Sequence, residues 1–218
     1  MNEIIMQIVV YAFPVLLSIT VHEFFHGYTA YKLGDPTAKY MGRLTLNPIA
    51  HIDIFGTILL PLVLIISNSS FMIAWAKPVP INPMNFKKPY RDMAISSLAG
   101  PISNILLSII FFIIYLFMFK NIENIPLEKN MMLIKNMLRA GFVINFALFS
   151  FNILPVPPLD GSKVLMAFLP FKGKQFLEKI EPYGFYIILA LLFFRIIDIY
   201  MLFMANLLKY FLLFIGGF

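Results

Sequence analysis

Apolar and polar positions fall along this chain in blocks far longer than a helical turn. Uncharged, mostly apolar runs cover Ile4–Val21, Ile54–Ala76, Met93–Phe119, Ala140–Leu159 and Pro182–Phe194, the last continuing as Ile199–Leu208. A helix needs about 20 such residues to cross a bilayer, so the pattern predicts membrane helices rather than a soluble core. Between the runs lie polar segments at Lys32–Asp53, Lys77–Asp92, Lys120–Arg139 and Gly161–Glu181. Prolines gather in "AKPVPINPMNFKKP" (Ala76–Pro89) and "NILPVPPLDG" (Asn152–Gly161). Both stretches read as extended or irregular backbone, which survives at membrane depth only when buried in protein or lining a wet cavity. The expectation is an all-α polytopic membrane protein of about 4–6 transmembrane helices, with a re-entrant or extended segment near residues 54–81.

Composition sharpens this. Of 218 residues 60% are hydrophobic and 13% charged, against roughly 25% charged in soluble domains. No internal repeat or low-complexity linker divides the chain, so residues 1–218 read as a single membrane domain. Ile4–Val21 lacks the basic flank and small-residue site of a cleaved signal and is read as a retained helix. The absence of cysteine excludes disulfides, thiolate zinc sites and a cysteine nucleophile. A net charge of +6 suits basic loops at the anionic surface of a lipid bilayer. No dense basic run points to nucleic acid.

The candidate chemistry begins where the first run ends, in "SITVHEFFHGYTAYKLGD" (Ser18–Asp35). On a helix, His22 and His26 stand one turn apart on the same side and can aim two imidazoles at one metal ion. Glu23, about 100° round, sits where a carboxylate can take a proton from water activated by the metal. This H-E-x-x-H spacing serves zinc metalloproteases. The bland alternative is a set of polar caps at the lipid interface, but ionisable groups at membrane depth usually mark function. Catalytic zinc usually has three protein ligands. The third could come from His51, Asp35, Asp53, Asp92, Asp160 or Asp198, of which Asp160 stands out because it ends an apolar run in a proline-broken segment.

Taken in order, "HEFFHGYTAYKLGDPTA", "GRLTLNPIAHID", "WAKPVPINP", "AGPISN" and "NILPVPPLDG" resemble the short bacterial and archaeal branch of the site-2 protease family, intramembrane zinc metalloproteases. The likeness covers most of residues 18–165, and the catalytic core is read as about 4–165, with variable C-terminal membrane helices at 183–217. The resemblance implies one Zn²⁺ per chain on His22, His26 and Asp160, with Glu23 as general base. It implies that Asn152 binds the substrate carbonyl or the oxyanion. Substrates would be transmembrane proteins cut in or near their membrane segments. A metal-binding transporter using the same three ligands is the rival reading, and Glu23 separates the two, because a transit site needs no base.

A shared zinc ion also makes a demand on topology. His22 follows 18 uncharged residues and Asp160 follows 20, so both lie toward the exit ends of their helices. They meet only if those helices run the same way, which means one of the two intervening runs does not cross. Ile54–Ala76, interrupted by Pro61 and by "SNSS" at Ser67–Ser70, is the candidate to turn back. The HEFFH side then holds eleven lysines and arginines and the other side four. By the positive-inside rule this puts the active site toward the cytoplasm in a multi-pass plasma-membrane protein.

Some residues carry weaker expectations. Asn152 could instead be a cap or turn residue. "AGPISN" (Ala99–Asn104) reads as close-packing architecture, with Asn104 bonding across helices. His51 reads as an interfacial histidine bonded to Asp53 or to backbone. Arg195 and Asp198, at i and i+3, read as a helical ion pair. Extended Ala74–Ile81 is a candidate edge for binding an unwound substrate strand.

Overall fold

The structure, a computed structural model, describes residues 3–59, 63, 75–119 and 128–216. The long apolar runs form α1 (Glu3–Lys32), α3 (Pro89–Phe119) and α4 (Lys129–Asn152). Short helices follow the proline-rich and polar segments: α2 (Thr37–Tyr40), α5 (Asp160–Phe168), α6 (Phe171–Ile180) and α7 (Gly184–Phe193), with α8 (Ile196–Gly216) closing the chain. The fold is all-α, and no β-strand occurs among the described residues.

Three helices are long and apolar enough to cross a membrane: Ile8–Lys32, Pro89–Phe119 and Lys129–Asn152. A fourth arises if Phe171–Phe193 and Ile196–Tyr210, bent by 73° at their junction, count as one span. The described residues thus give three or four spans, reaching only the lower end of the expected number. One reason is local. Arg195 adopts a left-handed φ of 57° between α7 and α8, which breaks the last apolar run. The same break separates Arg195 from Asp198, and no ion pair joins them, contrary to the i, i+3 expectation. Ile54–Leu59 forms a single π-helical turn. Pro61 and Ser67–Ser70 lie outside the described residues, so the turn-back assigned to them does too.

Hydrogen bonds set the helix directions. His22 and His26 of α1 pair with Asn104 and Ser96 of α3, so α1 and α3 are antiparallel. Asn104 meets Asn145, and Ser108 meets Phe142, so α4 is antiparallel to α3 as well. The chain between α1 and α3 therefore starts and ends at one face of the bundle and makes no net crossing. This is what a shared metal requires of α1 and α4.

α3 lies between the other two and packs closely on both. Its interior face is small and polar: Ser96, Ser97, Gly100, Ser103, Asn104 and Ser108 are buried, whereas Ile113 and Phe117 face outward. With lipid outside, apolar area drives no helix association, and small residues plus interhelical hydrogen bonds hold the bundle. A Cβ at Gly141 of α4 would come 2.6 Å from the Phe111 ring, so that glycine lets the two helices approach. Phe111, Phe119 and Leu138 form an apolar cluster toward the end away from His22.

Candidate metal centre

On α1, His22 and His26 project from successive turns. Their rings stand 4.4 Å apart, nearly perpendicular, with Nε2 to Nε2 at 2.8 Å. Asp160, the first residue of α5, places Oδ2 3.3 Å from His22 Nε2 and 3.2 Å from His26 Nε2. Both histidines are buried and Asp160 is half-buried. Among the described residues this is the one cluster of three or more histidine and carboxylate groups close enough to share an ion.

The chain builds this site by making room. A Cβ at Gly100 would overlap His26 Nε2 and come 2.8 Å from His22 Cε1, so the glycine of "AGP" leaves space for the two rings. A Cβ at Gly161 would overlap the carbonyls of Ile153 and Leu154. That glycine lets α5 start against the end of α4 and turns Asp160 back toward α1. The connecting turn contains a cis Pro157–Pro158 bond.

The outer nitrogens decide what the inner ones offer. His26 Nδ1 lies 2.8 Å from the Ser96 carbonyl, which can only accept, so Nδ1 carries the proton. His22 Nδ1 lies 2.6 Å from Asn104 Oδ1. Asn104 is held in that orientation because its Nδ2 donates to Ser18 O at 3.3 Å and Asn145 Oδ1 at 3.0 Å. Asn145 in turn donates from Nδ2 to Gly141 O at 2.8 Å. Both Nε2 atoms thus present bare lone pairs to each other and to a carboxylate oxygen. Three acceptors facing inward at these distances repel unless a proton or a metal ion lies among them. Two imidazoles and one carboxylate are also the donor set of a catalytic zinc with an open position. The residues fit the group.

Glu23, half-buried on the next helical position, accepts from the Val79 N–H through Oε2 at 2.7 Å. Val79 belongs to an extended segment, 75–82, clamped by the protein itself. Lys77 N–H donates to His51 O at 3.0 Å, Arg43 Nη2 donates to Lys77 O at 2.7 Å, and Asn82 N–H donates to Asp35 Oδ2 at 2.7 Å. Asp35 also accepts from Thr37 and from Asn85 Nδ2. Burial pushes the Asp35 carboxyl up, but these hydrogen bonds outweigh it and hold the group below the usual carboxylate range. The expected substrate edge therefore differs from a free strand. Its N–H groups at Lys77 and Val79 are occupied, Pro78 and Pro80 have none, and Ala74 lies outside the described residues.

Of the residues singled out from sequence, His22, His26 and Asp160 converge, with Glu23 beside them. Asn152 ends α4 and donates from Nδ2 to Leu148 O at 3.0 Å, without a hydrogen bond to the cluster. His51 is buried and bonds the Thr45 carbonyl through Nε2 at 2.8 Å, a backbone partner as expected. Asn104 does more than join helices, because it holds His22 directly. That bond, Ser96 behind His26 and the Val79 N–H at Glu23 were not identified from sequence. The available signal was an amide, Asn104 or Asn145, within the uncharged run of each of two helices.

The sequence profile of Peptidase family M50 matches residues 10–133 and 127–195. Among related proteins, YwhC of Bacillus subtilis (strain 168) is 40% identical over 177 residues, which are 81% of this chain and 76% of that protein. Rip2 of Mycolicibacterium smegmatis is 28% identical over 177 residues, covering 81% of this chain and 64% of that protein. MJ0611 of Methanocaldococcus jannaschii is 41% identical over 69 residues, 32% of this chain and 31% of that protein. All three are named as candidate zinc metalloproteases. No solved structure matches the chain significantly.

Proposed function

Because this chain belongs to peptidase family M50, we propose that it is an intramembrane zinc endopeptidase that cuts peptide bonds in or near transmembrane segments of other proteins. The observation that carries the reading is the meeting of His22 and His26 of a membrane helix with Asp160 at the start of α5, with Glu23 alongside.

His22 Nε2, His26 Nε2 and Asp160 would hold a single Zn²⁺. Bound there, zinc supplies a Lewis acid that polarises the scissile carbonyl and brings the pKa of an attacking water toward about 7. Glu23 is the general base: it accepts the water proton on its carboxylate and delivers it to the leaving amine. The Val79 N–H keeps that carboxylate in place between the two transfers. Asn152 has a second amide hydrogen beyond the one given to Leu148, and it donates that hydrogen to the developing oxyanion. The substrate segment, unwound beside residues 75–82, offers its own N–H groups to carbonyls of that edge such as Pro80 O, since the Lys77 and Val79 N–H groups are already bonded within the protein.

The whole of residues 1–218 acts as one membrane domain with the catalytic core at about 4–165, and α7 and α8 supply further membrane helices. The metal end faces the cytoplasm, in keeping with the eleven-to-four charge asymmetry. The deciding experiment pairs metal analysis of the purified protein with cleavage of a model transmembrane substrate. Wild type should carry one zinc and cleave, while Glu23→Gln should carry the same zinc and fail to cleave. Wild type that carries no zinc, or Glu23→Gln that cleaves normally, would overturn the reading.

A further inference from the structure

At the end of the bundle opposite the metal ligands, Arg139 of α4 stands between two apolar cavities. One, of about 520 Å³, opens between α1 and α4 and is lined by Val10, Tyr11, Asn136 and Ile144, among others. The other, of about 230 Å³, opens between α3 and α4 and is lined by Phe112, Tyr115 and Phe142. Arg139 and Val143, one turn apart, line both and form the ridge that divides them. Val143 is 58% exposed and Arg139 is exposed as well. Among the described residues Arg139 has no hydrogen-bond or ion-pair partner, and no carboxylate lines either cavity.

Depth matters here. Asn145 stands level with His22 through Asn104, and Arg139 precedes Asn145 by six residues, roughly 9 Å along the helix. Val10, across the larger cavity, precedes His22 by twelve, roughly 18 Å. The guanidinium thus lies on the side of the bundle away from the metal centre. An unpaired cation on a membrane helix, beside apolar clefts, wants an anion that the lipid itself can bring. The larger cavity lies within the roughly 300–1,000 Å³ of small-ligand sites, too small for a crossing helix but suited to a hydrocarbon chain. Two clefts on either side of one cation match a molecule with two chains joined at one phosphate. A guanidinium recognises phosphate through charge-assisted, bidentate hydrogen bonds, and the Asn136 amide on the preceding turn offers a further donor. We propose that Arg139 and the paired clefts form a binding site for one anionic diacyl phospholipid, its phosphate on Arg139 and one chain in each cleft.

The test uses the full chain in a neutral detergent, with bound lipid counted by intact-protein mass spectrometry. The probes are dioleoyl phosphatidylglycerol, dioleoyl phosphatidylcholine and inorganic phosphate. Wild type should retain one phosphatidylglycerol, bound about tenfold or more tightly than phosphatidylcholine, with no displacement by inorganic phosphate. Arg139→Gln should lose that preference, and Val143→Trp, which fills both clefts, should weaken both lipids. Lys135→Gln, a cation on the same helix outside the site, should bind as wild type. Should Val143→Trp not fold, Arg139→Gln and Arg139→Lys carry the test alone, with zinc content in the distant metal centre reporting an intact fold. Equal binding of the two lipids by wild type overturns the proposal, as does undiminished preference in Arg139→Gln or displacement by inorganic phosphate. It is also overturned if Val143→Trp keeps its lipid but stops cleaving a transmembrane substrate, since the groove would then receive protein.

Discussion

Asn104 of α3 holds the imidazole of His22 across the helix interface, Oδ1 to Nδ1 at 2.6 Å, and is itself held by Asn145 of α4 at 3.0 Å. The three helices that form the bundle are thus the same three that orient one metal ligand. Helix packing and ligand geometry are one problem in this protein, solved by two buried amides.

Loss of the Asn104 amide should therefore weaken the metal more than the fold. Partners of metal-bound histidines are typically worth about 10–100-fold in affinity. Asn104→Leu, close in volume, should lose zinc to a competing chelator within that range, whereas Asn104→Asp, which keeps an acceptor toward Nδ1, should retain most of the affinity. Chelator competition on purified protein checks this. Equal zinc affinity in Asn104→Leu would leave Asn104 with a packing role alone.

The ligands and the base should separate cleanly in the same assay. Asp160→Asn and His26→Ala remove a donor from the cluster and should abolish both metal retention and cleavage. Glu23→Gln should retain zinc and lose about 10²–10⁴-fold in rate, the usual worth of a positioned acid–base group. Removing zinc from wild type with a chelator should stop cleavage, and adding zinc back should restore it. Asp160→Asn with full zinc content would show that the cluster is not the binding site.

How much of this was legible beforehand follows from what each feature depends on. The pairing of His22 with His26 needs only the helical period, a property of one segment. Asp160 as their partner was implied by the resemblance, and the depths of the two uncharged runs permit the meeting only where both helices run the same way, which is a matter of topology. The Asn104 bond depends on how α1 crosses α3, and one of several polar groups on the inner face of α3 could have met any neighbour. Arg195 and Asp198 were misread for the opposite reason: i, i+3 spacing pairs residues only on an unbroken helix, and the chain breaks there with Arg195 at a φ of 57°. The segment 75–82 was correctly read as extended, but its N–H groups go to His51, Glu23 and Asp35, residues distant in sequence.

Asp35 gives that segment a pH dependence. Its carboxyl, fully buried, is held below the usual range by donors from Thr37, Asn85 and Asn82 against the opposing effect of burial. A carboxyl whose folded value lies below its unfolded value of about 3.9 contributes stability at higher pH. That contribution is lost as pH falls through the folded value. Thermal unfolding in detergent should show wild type losing stability as pH drops below about 4. Asp35→Asn should start lower, by about 1.5–3 kcal/mol for weakened charge-assisted hydrogen bonds, and decline less over that window. Parallel pH profiles for the two proteins would refute the assignment.

The last prediction concerns a single backbone hydrogen. Between Pro78 and Pro80, only Val79 has an N–H, and it donates to Glu23 Oε2 at 2.7 Å. Extended backbone accommodates proline, so Val79→Pro deletes this donor while leaving the chain path intact. A hydrogen bond to a charged group is worth about 1.5–3 kcal/mol, so a base left free to wander should cost about 10–100-fold in kcat. Zinc content should not change, because Val79 touches none of the three ligands. Val79→Ala is the necessary comparison: it keeps the N–H and loses only the side chain that packs over Gly27, and it should retain most of the rate. If Val79→Pro cleaves as fast as Val79→Ala, the bond from residue 79 does not position the base, and Glu23 must find its place by contact with the bound substrate.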